Sequence, residues 1–178
     1  MLFGTESFEI EVIKSIHGSL QCGFMDGAMK FFSSINDAGL LWIVTAIVLI
    51  CTKKYRRNGV FLGVGLLLGL ILGNGVIKNL VARPRPCWLD SSIALLIENP
   101  TDFSFPSGHT LSSFIAAFVL LDTDRRMGIP AVCAATVIGF SRMYLMVHYP
   151  TDILGAVILA ALIFFGMKFV LGKMRRSC

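Results

Sequence analysis

Charged residues are scarce in this chain. Sixteen Lys and Arg with eleven Asp and Glu make up 15% of its 178 residues, against about 25% in soluble domains. So little charge argues against an ordinary soluble domain and for one that lives in a membrane. Histidine is rarer still, with three in the chain. The five cysteines, Cys22, Cys51, Cys87, Cys133 and Cys178, fall in no CxxC or Cys/His spacing that would hold zinc. Cys51 and Cys133 lie in apolar runs and are expected to behave as small buried hydrophobes, while Cys22 and Cys87 are expected to stay unpaired. The acidic residues form no cluster that would serve a metal-dependent route. The first residues lack a basic start, and Glu6, Glu9 and Glu11 break up any apolar stretch near the N-terminus. No cleavable signal peptide is expected there.

What is present is apolar: 55% of the residues are hydrophobic. Five apolar segments stand at about 38–52, 60–77, 105–121, 127–147 and 153–171. A spanning helix needs about 20 residues, with a range of roughly 17–25. The first and third segments are short by that rule and should recruit neighbours such as Ile35 or Phe103. The net charge of +5 is spread over short clusters, Lys53 to Arg57, Arg125–Arg126 and Lys173 to Arg176. These make no single patch, so nucleic acid is not an expected partner. With five spans, all three clusters fall on one side, the cytoplasm by the positive-inside rule. The N-terminus then lies outside and the C-terminus in the cytoplasm.

Residues 1–36 mix charge with apolar positions, and Phe8, Ile10, Val12, Ile13 and Ile16 share one helical face. They read as interfacial amphipathic helices. The expected fold is therefore all-α: one membrane-embedded domain over 1–178, interfacial helices over 1–36 and a transmembrane helix bundle of about five spans over 38–171. Gly65, Gly69 and Gly73 recur every four residues, which predicts close packing on another helix of the same chain. Trp42, Trp88, Tyr144 and Tyr149 sit near segment ends, where interfacial aromatics are expected.

Three short stretches carry the chemistry. Lys78 ends the second segment and Arg85 stands between Pro84 and Pro86, which stiffen its backbone. Arg83 reads as an anchor for lipid headgroups. Pro106-Ser107-Gly108-His109 stands before an apolar helix, where unpaired N–H groups favour an anion. Ser107 adds a hydroxyl, and Gly108 allows close approach. Arg142 lies inside the fourth apolar segment, and an ionisable residue there is a functional candidate. His148 lies at the outer end, and Asp152, four residues on, can accept its Nδ1–H and leave Nε2 free to attack. Fixed cations, two imidazoles and a carboxylate suit phosphoryl transfer, in which charge spreads over the phosphoryl oxygens. All of these stretches land on the outer side of the five-span arrangement.

Lys78-x6-Arg85-Pro86, Pro106-Ser107-Gly108-His109 and Ser141-Arg142-x5-His148-x3-Asp152 together resemble the signature of the type-2 phosphatidic acid phosphatase (PAP2) superfamily. The resemblance implies hydrolysis through a phosphohistidine without metal or other cofactor. By position, His148 is the expected nucleophile, oriented by Asp152, with His109 as acid and then base. Lys78, Arg85, Ser107, Gly108 and Arg142 are expected to hold the phosphoryl oxygens. The compact bacterial members include phosphatases of undecaprenyl diphosphate, the expected substrate. Phosphatidylglycerophosphate and phosphatidate are the alternatives, and a non-catalytic lipid-binding or lipid-translocating protein is the reading from another class. The expected location is the bacterial cell membrane, with the site on the extracytoplasmic side.

Overall fold

A computed structural model of the chain describes residues 4–176, with side chains through Val170. The basic side chains of Lys173, Arg175 and Arg176, and Cys178, lie outside the described set. Every described element is a helix. In order they are α1 (Glu6–Leu20), α2 (Gly23–Ser34), a 3₁₀ turn (Asp37–Gly39), α3 (Leu40–Cys51) and α4 (Arg56–Gly69). A π-helical stretch (Leu70–Ile77) joins α4 to α5 (Lys78–Val81), and α6 (Pro86–Leu89), α7 (Gly108–Thr123), α8 (Arg125–Tyr144) and α9 (Pro150–Arg176) complete the chain. This is an all-α membrane helix bundle.

The runs Arg56–Leu89, Arg125–Tyr144 and Pro150–Val170 are each long and apolar enough to cross a membrane. A fourth crossing arises if α2 and the segment from Asp37 to Cys51, bent by 43°, count as one. Counted so, the short first segment would gain the length of α2. The third segment becomes α7, apolar but only 16 residues long. Ile43, Ile47, Leu67, Leu70, Ile158 and Leu162 are exposed, an apolar outer surface suited to lipid chains. Cys51 and Cys133 also lie on the exposed surface, against the expectation of burial: an apolar run in a membrane helix faces lipid as readily as protein.

α7 is the centre of the bundle, packing on α8, α9 and α4. Its Leu111, Ile115, Ala116, Ala117, Val119 and Leu120 are buried. The glycine stripe of the second segment meets this helix: Gly65 and Gly69 face Ile115, and Gly73 faces Leu111. The stripe therefore serves packing within the chain, as expected. Asp124 ends α7 and caps α8, its Oδ1 accepting from the Arg126 N–H at 2.9 Å. Two antiparallel helices joined through one residue must approach closely, and Gly128 allows it, since its Cα lies against the Leu121 backbone.

The helices alternate in direction, so their ends sort into two groups. Asn58 at the start of α4 donates to Thr123 at the end of α7 over 2.8 Å. The loops carrying Lys53 to Arg57 and Arg125–Arg126 thus share one end of the bundle. Lys78, the N-terminus of α7, the C-terminus of α8 and the N-terminus of α9 gather at the other.

Replacing glycine by alanine inside a helix usually gains up to about 1 kcal/mol, whereas overpacking costs about 1–3 kcal/mol. Gly128→Ala is expected to lower the melting temperature in detergent, because its new methyl meets backbone. Gly27→Ala, where a Cβ meets nothing within 4 Å, should leave it unchanged or raise it.

Candidate active site

α5 ends at Ala82, whose φ of 47° is a left-handed conformation that stops the helix. Pro84 and Pro86 then keep Arg83 to Arg85 from resuming it, and Arg85 adopts extended backbone. Arg85 is buried, and its donors fan out in several directions. Nε donates to the Asp102 carbonyl at 2.7 Å, one terminal nitrogen to the Asp102 carboxylate at 2.6 Å, and the other to the Val147 carbonyl at 2.8 Å. That last nitrogen also lies 3.3 Å from His148 Nε2. Lys78 Nζ reaches the second Asp102 oxygen at 2.5 Å. One carboxylate, on the loop between α6 and α7, therefore bridges the two cations. Burial would raise the Asp102 carboxyl, but Lys78 and Arg85 hold it down at about 2.

His148 lies in the turn between α8 and α9, where Met146 takes a φ of 56° and redirects the chain. Its Nδ1 donates to Asp152 Oδ2 at 3.3 Å and lies 3.4 Å from Ser104 Oγ. The same Asp152 oxygen accepts from the Tyr149 N–H at 2.9 Å and from the Ser104 hydroxyl. Asp152 is thus a helix cap and an imidazole partner at once. Burial, then the Arg85 guanidinium, pushes the His148 imidazole down to about 3. The ring is a free base at neutral pH, with Nε2 turned towards the Arg85 guanidinium.

His109, in the first turn of α7, places Nε2 3.0 Å from Asp37 Oδ1. Asn36 ties the turn to α7 by donating to the His109 carbonyl at 3.1 Å. Arg142, near the end of α8, is 5% exposed and donates to Ser33 Oγ. Its buried Nε has no hydrogen-bond partner among the described residues. Ser107 is the cap of α7: its hydroxyl accepts from the Thr110 hydroxyl at 3.0 Å and is fully buried.

A cavity of about 730 Å³ joins these parts. Lys78, Arg85, Gly108, His109, Arg142 and His148 line its polar end. Ser107 and Asp152, both fully buried, stand behind that wall. From there the cavity runs between α3 and α4 past Ile43, Ile47, Leu66, Leu67 and Leu70. Asn74 also lines it, from the π-helical stretch, a local irregularity common at functional sites.

Sequence reasoning missed several participants. Asp102, Ser104 and Asn36 sit in loops and Asp37 in the 3₁₀ turn, with no motif to mark them. Asn74 did leave a signal, as a polar residue inside an apolar run. Arg83, expected to anchor lipid headgroups, is instead fully buried. It donates to Asp152 Oδ1 and Thr151 Oγ1, each at 2.7 Å, and to Glu9 Oε1 at 2.9 Å. Nor are the aromatics all interfacial. Trp42 is buried and donates to Ser113, Tyr144 is buried and donates to Asp26, and Tyr149 lies under the Arg83 guanidinium. These side chains find their partners inside the protein. Trp88 remains partly exposed.

Residues 58–175 match the PAP2 superfamily. The chain is 31% identical over 156 residues to undecaprenyl-diphosphatase BcrC of Bacillus subtilis, across 87% of this chain and 80% of that one. It is 32% identical over 159 residues to an undecaprenyl-diphosphatase of Sulfolobus acidocaldarius, across 89% and 76%. The fold is also similar to the crystal structure of a transmembrane PAP2-type phosphatidylglycerolphosphate phosphatase from Bacillus subtilis. The TM-score is 0.76 with 25% identity, over 96% of this chain and 88% of that one. The chain belongs to the PAP2 superfamily and is one of its membrane phosphatases.

Proposed function

We propose that this protein hydrolyses undecaprenyl diphosphate to undecaprenyl phosphate and inorganic phosphate through a phosphohistidine, with no metal. The observation that carries a lipid substrate is the shape of the cavity. Its cationic end suits a phosphate group, and the apolar stretch between α3 and α4 suits a hydrocarbon chain. The two undecaprenyl-diphosphatase relatives favour the diphosphate; phosphatidylglycerophosphate is the second reading, favoured by the structural neighbour.

In this mechanism His148 Nε2 attacks the terminal phosphorus while Asp152 holds the opposite ring nitrogen. The bond to the bridging oxygen breaks, and His109 gives that oxygen its proton. Water then attacks the phosphohistidine, His109 takes the proton, and phosphate leaves. Lys78, Arg85 and Arg142 take up the charge on the phosphoryl oxygens, and the free Arg142 Nε supports that role. Gly108 contributes the first N–H of α7, which no helical carbonyl accepts; Ser107 holds that turn in place. Among the described residues no three His, Cys, Asp or Glu side chains group as metal ligands. The site lies at the end of the bundle opposite the Lys53 to Arg57 and Arg125–Arg126 loops, which supports an extracytoplasmic active site.

The direct test is phosphate release by purified protein in detergent with EDTA present, from undecaprenyl diphosphate, phosphatidylglycerophosphate and phosphatidate side by side. Release is expected to persist in EDTA, to be inhibited by vanadate and to vanish in His148→Ala. Activity lost to EDTA, or retained by His148→Ala, contradicts the mechanism, and the fastest lipid decides the substrate.

A second expectation concerns Asp102. Its carboxylate sits on Lys78 and Arg85, the cations assigned to phosphate, so an incoming anion must displace it. Asp102→Asn should tighten product inhibition by inorganic phosphate, measured as a lower inhibition constant. Weaker inhibition would mean that Asp102 orients the cations and does not compete with the substrate.

A further inference from the structure

We propose that Arg83 is a positioning residue for the nucleophile, and that Glu9 of α1 completes its seat. The inference rests on the reading of His148 as the attacking group. Asp152 has two oxygens with separate duties. Oδ2 takes His148 Nδ1, Ser104 and the Tyr149 N–H, whereas Oδ1 takes the Arg83 guanidinium at 2.7 Å. A carboxylate gripped at both oxygens cannot turn about its terminal bond, so the imidazole it holds stays aimed at the cavity. Arg83 is fully buried and absent from the cavity lining; it acts through Asp152 and not on the substrate.

Arg83 is itself held from elsewhere in the chain. Glu9 Oε1 accepts from Arg83 at 2.9 Å, and Glu9 Oε2 accepts from the Thr151 N–H at 3.0 Å and its hydroxyl at 2.7 Å. Glu6 stands 4.0 Å from Arg83 Nε. The ring of Tyr149 lies 3.9 Å from the guanidinium carbon and closes another side. Burial alone would raise the Glu9 carboxyl, but hydrogen bonds from Thr5, Thr151 and Arg83 outweigh it and keep it ionised. A planar fork suits this seat, since it reaches Asp152, Thr151 and Glu9 in fixed directions, which a lysine ammonium does not. The line Glu9–Arg83–Asp152–His148 joins α1 to the reacting atom. α1 lies outside residues 58–175, which match the superfamily, so this support comes from beyond the matched segment.

Outer groups that orient a site's inner residues typically change activity by about 10- to 100-fold when removed, as measured at metal sites. Arg83→Lys is expected to lower kcat by about that factor while leaving KM within about twofold, because Lys78, Arg85 and Arg142 keep the phosphate. Glu9→Gln and the milder Thr151→Val should show the same split with smaller losses. All are compared with wild type per folded protein, judged by size exclusion and melting temperature. A lower melting temperature with unchanged kcat in any folded variant overturns the proposal in favour of a purely structural ion pair. A raised KM with unchanged kcat overturns it too, since Arg83 would then bear on substrate. Thr151→Val carries the same test if Arg83→Lys does not fold. His148→Ala separates the two levels: if it stays active, the phosphohistidine reading fails. If it is dead while Arg83→Lys keeps full kcat, only this inference fails.

Discussion

A cation removed from water needs a partner of opposite charge or a full set of acceptors, because the low dielectric of a packed interior makes an unpaired charge costly. This bundle buries Lys78, Arg83, Arg85 and Arg142 at one end. The partners come from separate parts of the chain: Glu9 from α1, Ser33 from α2, Asp102 from the loop before α7 and Asp152 from α9. Meeting that demand draws the N-terminal helices, the long loop and the start of α9 together. The geometry of the site is set by where each positive charge finds its acceptor.

The cations are not equally satisfied, and the difference separates support from chemistry. Arg83 is enclosed by Asp152, Glu9, Thr151 and Tyr149, with no access to the cavity. Lys78 and Arg85 share a carboxylate that is half exposed, and Arg142 Nε has no hydrogen-bond partner among the described residues. Positive charge beside the cavity is therefore incompletely matched by the protein. A preformed field of this kind stabilises an anion without reorganising when it arrives. The neutral His148 ring belongs to the same design, since burial and the neighbouring guanidinium both disfavour its protonated form.

Such placement depends on helices that cannot slide. α7 supplies the His109 turn and sits in the middle of the bundle, in contact with α4, α8 and α9. Small residues set its distances: Gly65 and Gly69 on α4, Gly73 on the π-helical stretch beyond it, and Gly128 on α8. A packed interior transmits small shifts in these contacts to the atoms they position, so the glycine stripe and the active site are parts of one mechanical unit.

The motif residues were legible in the sequence, because the spacing of Lys78 to Arg85, of Ser107 to His109 and of Arg142 to Asp152 is local and reflects chemistry. The apolar segments were legible too, since a bilayer requires long hydrophobic runs: they correspond to α3, to α4 with the π-helical stretch, and to α7, α8 and α9. Direction was less so: an apolar run does not say which side faces protein, and Cys51, Cys133, Trp42 and Tyr144 depart from expectation for that reason. The roles of Arg83, Glu9, Asp102 and Ser104 were invisible, because each depends on a partner from 17 to 74 residues away. The sequence by itself determined the helical class, the membrane setting and the identity of the motif residues. Only the tertiary structure decided which carboxylate sits on which cation, because pairing is chosen by distance after the helices pack.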